Sequence, residues 1–405
     1  MADVTVSLAG VVKHFESLAD PRDTRNRRHL LVDVIVISVC GVIVGCKGPT
    51  SIERWAKAKQ EWLSTMLELP HGIPSRDCIR RILSALKPAA FQKCFQEWIA
   101  ACLLCNNDGL GRTIAIDGKT MRRSHDKAAG LGPLHIVSAW ASEQGFALGQ
   151  LATEEKSNEI TAIPELLDQI DVKGAVVTID AMGCQKAIAQ MIINGGGDYV
   201  LAVKENQPKL YKAIQAYFNE QMERGWEHTQ HRRHETREKG HGRAEERYYY
   251  LAKLPDDFPL KKQWPGLKAI GMSINMTTDK DGNERGDVRF FIVSRYMSGS
   301  RFAQSVRGHW GIENSLHWVL DVTFDEDQSR ARERSLADNL SWLRRFGISL
   351  LKQHPSKHSI KGKSEIAGWD NNFLLQVLTT QQTYYREQVI VDCLGIMRRR
   401  IRHLV

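Results

Sequence analysis

Two aspartates in this sequence stand where a carboxylate needs a reason. Asp117 lies in IAIDGKT (114–120) and Asp180 in VVTIDAMGC (176–184), each directly after an aliphatic run that reads as a buried strand. Burying a carboxylate there is costly unless it meets a cation. A surface turn before Gly118 accounts for the first aspartate better when it is taken alone. Together the two say more, because ligands gather outside the carboxyl ends of strands in open α/β sheets, and aspartates on adjacent strands could share one ion. A third acid, Glu313 in RGHWGIENSLHW (307–318), sits with Trp310, Ile312, Leu316, Val319 and Leu320 at helical spacing, on or beside an inward stripe. Three carboxylates make a hard oxygen site suited to Mg²⁺ or Mn²⁺ and not to zinc. Two such ions roughly 4 Å apart can activate a hydroxyl nucleophile and stabilise the departing oxygen of an in-line displacement at phosphorus. Asp321, Asp325, Glu326 and Asp327 in LDVTFDED (320–327) compete with Glu313 for the third place.

The elements that must position these groups change texture along the chain. Up to about residue 105 the pattern is helical. Val34 to Cys46 forms the most apolar stretch, bounded by Asp33 and Lys47 and too short for the roughly 20 residues of a membrane span, so it reads as a buried helix. Ser75 can cap a helix whose Ile79, Ile82, Leu83 and Leu86 face inward while Arg76, Arg80 and Arg81 point elsewhere, as a solvated face or as a basic face for a DNA groove. From residue 113 strands take over at 113–117, 134–141, 146–153, 175–180 and 198–203. Helices carrying Ile160, Ile163, Leu167 and Ile170, and then residues 185–195, fall between the later ones. Pro164 is tolerable only near the start of the first of these. The order predicts a mixed sheet with helices on its faces. A polar region, 205–292, interrupts it. There HRRHETREKGHGRAEERYYYLA (231–252) reads as a hairpin about Gly240 and Gly242, and FFIVSR (290–295) as a strand, which together suggest a β-rich insertion. Residues 301–351 are helical again. The tail carries Arg398, Arg399, Arg400 and Arg402, a solvated basic end that could also touch phosphate.

With 42% apolar and 25% charged residues, the 405-residue chain matches a globular protein of two or three units sharing a large core, not a disordered one. A net charge of +9 favours a polyanionic partner without naming it. No basic segment followed by an apolar run and a cleavage site opens the sequence, so a cytoplasmic protein is expected. Six of the eight cysteines lie at or before Cys105 in no regular framework, and Cys102 and Cys105 form a lone CxxC. Buried reduced thiols account for them better than a metal or redox site does. His228, His231 and His234 would not share a face of a strand, which argues against a metal there.

IAIDGKT, VVTIDAMGC, KENQPKL (204–210) and RGHWGIENSLHWVLDVTFDED (307–327), in this order, resemble the DDE transposases of bacterial insertion sequences, in the branch of H-repeat-associated proteins. DPRDTRNRRH (20–29) and GIPSRDCIRRIL (72–83) are similar to the helical region that accompanies that branch, so the resemblance covers nearly the whole chain. It implies a ribonuclease-H-like α/β fold: a mixed sheet with flanking helices, a β-rich insertion before the last catalytic helix, and an N-terminal helical domain. The implied organisation is a DNA-binding helical region at 1–105, a catalytic domain at 106–351 and a basic helical region at 352–405. Asp117, Asp180 and Glu313 would be both catalytic residues and ligands of two Mg²⁺ or Mn²⁺ ions. Related transposases place Tyr seven and Arg four residues before the glutamate and Lys seven after it; here those positions are Val306, His309 and Leu320. Arg307 or His309 could then supply the missing positive charge.

The resemblance implies hydrolysis at an element's terminal inverted repeats, followed by attack of the freed 3′-hydroxyl on target DNA. Lys119, Lys204, Asn206, Gln207, His241 and Arg243 are candidates to hold DNA, with Arg76, Arg80, Arg307 and His309, and handling two ends calls for a homodimer. Two rival readings are a DNA-binding relative that no longer cuts and a ribonuclease-H-like nuclease without strand transfer. Trp310 and Trp318 could stack on an unpaired base, although the aliphatic sequence around them favours the core.

Overall fold

In the computed structural model the described residues are 14–379 apart from 16, 105–111, 127–129, 154–158, 228, 241 and 242. Four helices come first: α1 (Leu31–Ile43), α2 (Pro49–Ala58), α3 (Arg76–Ala85) and α4 (Pro88–Leu104), with a single turn at Gln60–Leu63 between the second and third. The apolar stretch forms α1 as expected, and all but one of its residues are buried. Asp33 on it is buried too and accepts the Leu69 N–H at 3.0 Å. Burial, the largest influence, raises its pKa. On α3, Ser75 accepts the Cys78 N–H while Ile79, Ile82 and Leu83 turn inward, the arrangement its spacing predicted.

Strands β1 (Thr113–Thr120), β2 (His135–Ala141) and β3 (Phe146–Thr153) follow as an antiparallel meander. Next come α5 (Glu159–Asp168), β4 (Val176–Ile179), α6 (Lys186–Asn194), β5 (Asp198–Val203) and α7 (Pro208–Glu223). Pro164 is the sixth described residue of α5 and not a first-turn residue. Burial of Ala162, Ile163, Leu166 and Leu167 around it offsets a helix cost of roughly 3 kcal/mol. Then β6 (His231–Gly240), β7 (Arg243–Lys253), β8 (Ala269–Thr278) and β9 (Glu284–Val293) precede α8 (Gly299–Ile312), a π-helical turn (Glu313–His317), α9 (Trp318–Val322), α10 (Arg334–Gln353) and α11 (Ile360–Trp369).

All nine strands belong to one sheet, ordered β3-β2-β1-β4-β5-β9-β8-β7-β6. The first five have the ribonuclease-H-like arrangement, with β1, β4 and β5 parallel at the centre. The β-rich insertion is a meander that continues the same sheet, because β9 pairs antiparallel with β5 from Val200↔Val293 to Val203↔Phe290. Among the described residues the N-terminal helices have no core of their own. Ile35, Ile43, Ile82 and Phe95 share one apolar cluster with Leu343, Phe346 and Leu350 of α10 and with the sheet residues Ile116 and Val177. Among the described residues no helix is long and apolar enough to cross a membrane.

Candidate active site

Asp117 and Asp180 are brought together by strand register. Parallel β1 and β4 pair up to Ile116↔Ile179, and the next residue on each strand is the aspartate. No turn follows Asp117: β1 runs on through Gly118 to Thr120 against β2, with Asp117 opposite Ser138. Gly118 is required there, since a Cβ would collide with the buried His135–Glu159 pair, 2.6 Å apart, on the other face. Asp180 opens the turn after β4, and its Oδ1 accepts the N–H groups of Met182 at 3.1 Å and Gly183 at 3.2 Å. The loop after β5 braces that turn: Asn206 donates to the Ala181 carbonyl at 2.6 Å and Gln207 to the Cys184 carbonyl at 3.0 Å.

Glu313, at the C-terminal end of α8, faces the same space. One cavity of about 700 Å³ is lined by Asp117, Asp180 and Glu313, together with Lys204, Asn206, Arg289, His309 and Trp310. Glu313 is exposed at its mouth and not held on the inward stripe. Asp117 is the deep member, with 21% of its side chain accessible. Burial raises its pKa to about 7 against the backbone hydrogen bond at Gly118, and the carboxylates of Asp180, Glu159 and Glu313 push in the same direction. Among the described residues none of the three acids forms an ion pair with Lys or Arg. This unbalanced negative charge, presented by oxygen donors alone, fits a hard divalent cation. No three Asp, Glu, His or Cys side chains among the described residues are already drawn into a metal cage; the three acids share a space rather than a point.

Several expected partners sit elsewhere. Lys119, expected at a phosphate, is buried and absent from the cavity wall. Its ammonium lies 2.7 Å from Asp321, 2.9 Å from Asp327 and 3.6 Å from Glu326. The same cluster claims three of Glu313's rivals, and the fourth, Asp325, pairs with Lys47. His309 cannot supply positive charge near neutral pH, because burial pushes its pKa down to about 4 despite the pull of Asp180. It is a neutral wall residue whose Nδ1 lies 3.3 Å from Thr178 Oγ1. Arg307 keeps its charge but spends it on Glu238 of β6, at 2.6 Å. Arg243 pairs with Glu245 at 2.8 Å. His241, His228, Cys105 and the terminal arginines lie outside the described residues. Trp310 and Trp318 are exposed, at 38% and 58%, and not in the core. Trp310 carries the Arg289 guanidinium 4.1 Å above its ring, which explains how an indole stays at the cavity wall. Arg76 and Arg80 line a separate cavity of about 850 Å³ with Lys47, Arg54 and Arg330, sharing no residue with the first. Sequence reasoning passed over His317, whose Nδ1 lies 3.5 Å from Asp117 Oδ2; its place four residues after Glu313 was the available signal.

The pattern of the family described as Transposase DDE domain matches residues 108–351, and that of its associated N-terminal region, DDE_Tnp_1-associated, matches residues 12–99. The chain belongs to the transposase DDE domain family. Relatives of this DDE-family chain include the H repeat-associated putative transposase YhhI of Escherichia coli (strain K12), 36% identical over 92% of this chain and 98% of its own. Another is the putative transposase YncI of Escherichia coli O157:H7, 37% identical over 93% of this chain and 96% of its own. A distant solved likeness is a piggyBac transposase synaptic complex with hairpin DNA, at TM-score 0.37 and 9% identity, covering 94% of this chain and 77% of that one.

Proposed function

We propose that this DDE-family protein is a DNA transposase that hydrolyses a phosphodiester at each terminal inverted repeat of an insertion sequence and then joins the freed 3′-hydroxyl to target DNA. The observation that carries the reading is the convergence of three carboxylates, remote in sequence and unmatched by cations, on one open cavity. Asp117, Asp180 and Glu313 would together hold two Mg²⁺ or Mn²⁺ ions. Such ions, when bound, sharpen the nucleophile and stabilise the departing oxygen. The chain's own residues do the rest. Register fixes the two aspartates side by side, and Asn206 and Gln207 hold the turn that carries Asp180. Lys204, exposed on the wall, neutralises a phosphate oxygen, and neutral His309 lines the wall beside Asp180 without competing with the cation for that carboxylate. Two copies, one for each end, would make the working assembly.

Incubating the protein with Mn²⁺, pre-cut ends and a supercoiled plasmid is expected to yield end–plasmid joints, which only transesterification produces. Hydrolysis of uncut ends without joints would leave a plain nuclease, and binding without either product a non-cutting relative.

The second cavity suits a DNA backbone at a distance from the chemistry. Of its five exposed cations, Lys47 pairs with Asp325 and the others face one lining carboxylate, Asp77, which lies 3.9 Å from Arg76 and 3.8 Å from Arg80. Substituting Arg54→Glu together with Arg330→Glu is expected to weaken DNA binding for all sequences alike. The slope of log affinity against log salt should fall by about 1 for each phosphate that is no longer neutralised. Fluorescence anisotropy from 50 to 300 mM salt checks this, and an unchanged slope would take the cleft out of the DNA path.

A further inference from the structure

His317 is the one member of the catalytic-helix motif that touches an acid of the site and has been given no task. It closes the π-helical turn that Glu313 opens, and such wide turns inside helices are frequent at functional sites. The two ends of this turn both act on Asp117: Glu313 through its charge, and His317 by contact, with Nδ1 at 3.5 Å from Oδ2. The imidazole is largely enclosed, with 12% of the side chain accessible, and its Nε2 is buried without a hydrogen-bond partner. Nδ1 faces a carboxylate, which accepts, and Nε2 faces no partner, so the ring N–H that finds an acceptor is the one on Nδ1.

We infer that His317 is a positioning residue: Nδ1–H donates to Asp117 Oδ2 and fixes the carboxylate so that Oδ1 is presented to a divalent ion in the cavity. Carboxylate ligands are held in this way by a second layer of donors, whose removal typically weakens metal binding about 10–100-fold. This inference rests on Asp117 being a metal ligand, and the experiment keeps the two apart.

Mn²⁺ binding to the full-length protein without DNA, followed by loss of the free-ion electron paramagnetic resonance signal, is the readout that a merely packing role would not move. His317→Leu is expected to weaken Mn²⁺ binding about 10–100-fold. In end cleavage the half-saturating Mn²⁺ concentration should rise by a similar factor, far more than the maximal rate falls. His317→Asn, whose side-chain N–H can stand near the position of Nδ1, should restore most of the affinity and guards against a leucine variant that folds poorly. If His317→Leu binds Mn²⁺ as wild type does while Asp117→Asn has lost it, the role of His317 is overturned and the metal site stands. Equal weakening by Leu and Asn would also overturn it, assigning the effect to packing. If Asp117→Asn itself binds Mn²⁺ as wild type does, the reading of the site fails.

Discussion

Asp117→Asn is expected to reduce metal-dependent end cleavage and strand transfer by about 1000-fold or more, with DNA binding within a few-fold of wild type. The size follows from the several kilocalories per mole that a correctly held ion contributes to charge stabilisation in the transition state, at about 1.4 kcal/mol for each factor of ten. Binding is expected to survive because the proposed reading places most phosphate contacts on cations outside the acidic cavity. The same substitution should raise the stability of the metal-free protein. In the folded chain Asp117 keeps its proton up to about pH 7, whereas the unfolded carboxyl loses it near 3.9. Between those values only the native state binds the proton, so wild-type stability falls as pH rises through the window, and the full cost is present above pH 7. Asparagine never incurs that cost. Its advantage in melting temperature should therefore be greatest above pH 7 and fade as pH approaches 4. Added Mn²⁺ should reverse the order at pH 8 by stabilising only the wild type. Retained cleavage by the variant would remove Asp117 from the mechanism, and melting curves indifferent to both pH and Mn²⁺ would remove the ion.

What the sequence disclosed about this site follows the strength of local signals. Buried β1, β4 and β5 are aliphatic runs ending near small residues, and the capped α3 has one serine in place and an unbroken apolar stripe, so their positions could be read directly. The insertion was harder. In β9, Glu284 to Val288 are exposed and only its last four residues are buried, so periodicity marked the strand's end and missed its first half, while β8 and α7 went unmarked. That β9 extends the central sheet is a pairing with β5, which no local pattern carries. Lys119 illustrates a second blind spot. Alternation puts it on the same face of β1 as Asp117, but the acids of α9 and of the segment after it decide what it meets, and they arrive more than two hundred residues later. Trp310 illustrates a third: helical spacing cannot distinguish an indole buried in a core from one capped by a guanidinium at a cavity wall.

Arg345→Met should cost the fold about 3–5 kcal/mol, the usual penalty for leaving a buried charge without its partner. Glu326 and Arg345 are fully buried and 3.0 Å apart, with Arg344 at 3.8 Å and Lys119 at 3.6 Å from the same carboxylate. Arg345 also donates from Nε to Ser138 on β2, directly across the ladder from Asp117, so α10 is pinned to the strand beside the one that carries Asp117. Denaturant unfolding should show the loss as a lower midpoint. The pair does not, however, have to be net stabilising. Replacing both residues, Glu326→Leu with Arg345→Met, should recover part of what either single change loses, because desolvation of the two charges offsets much of their attraction, while buried Arg344 is left without its ion partner. The acid limb gives an independent check. Burial alone would raise the pKa of Glu326, but Arg345, Lys119 and Arg344 hold it down at about 2, below an unfolded value near 4.3. Its contribution is therefore complete above about pH 4.3 and is lost as pH falls toward 2, so wild type and Glu326→Gln should differ most near neutral pH and converge in acid. A double variant no more stable than the singles would mean that the cluster is held for its net energy. Recovery of stability without recovery of cleavage would mean that it is held for the orientation it gives the strand beneath the site.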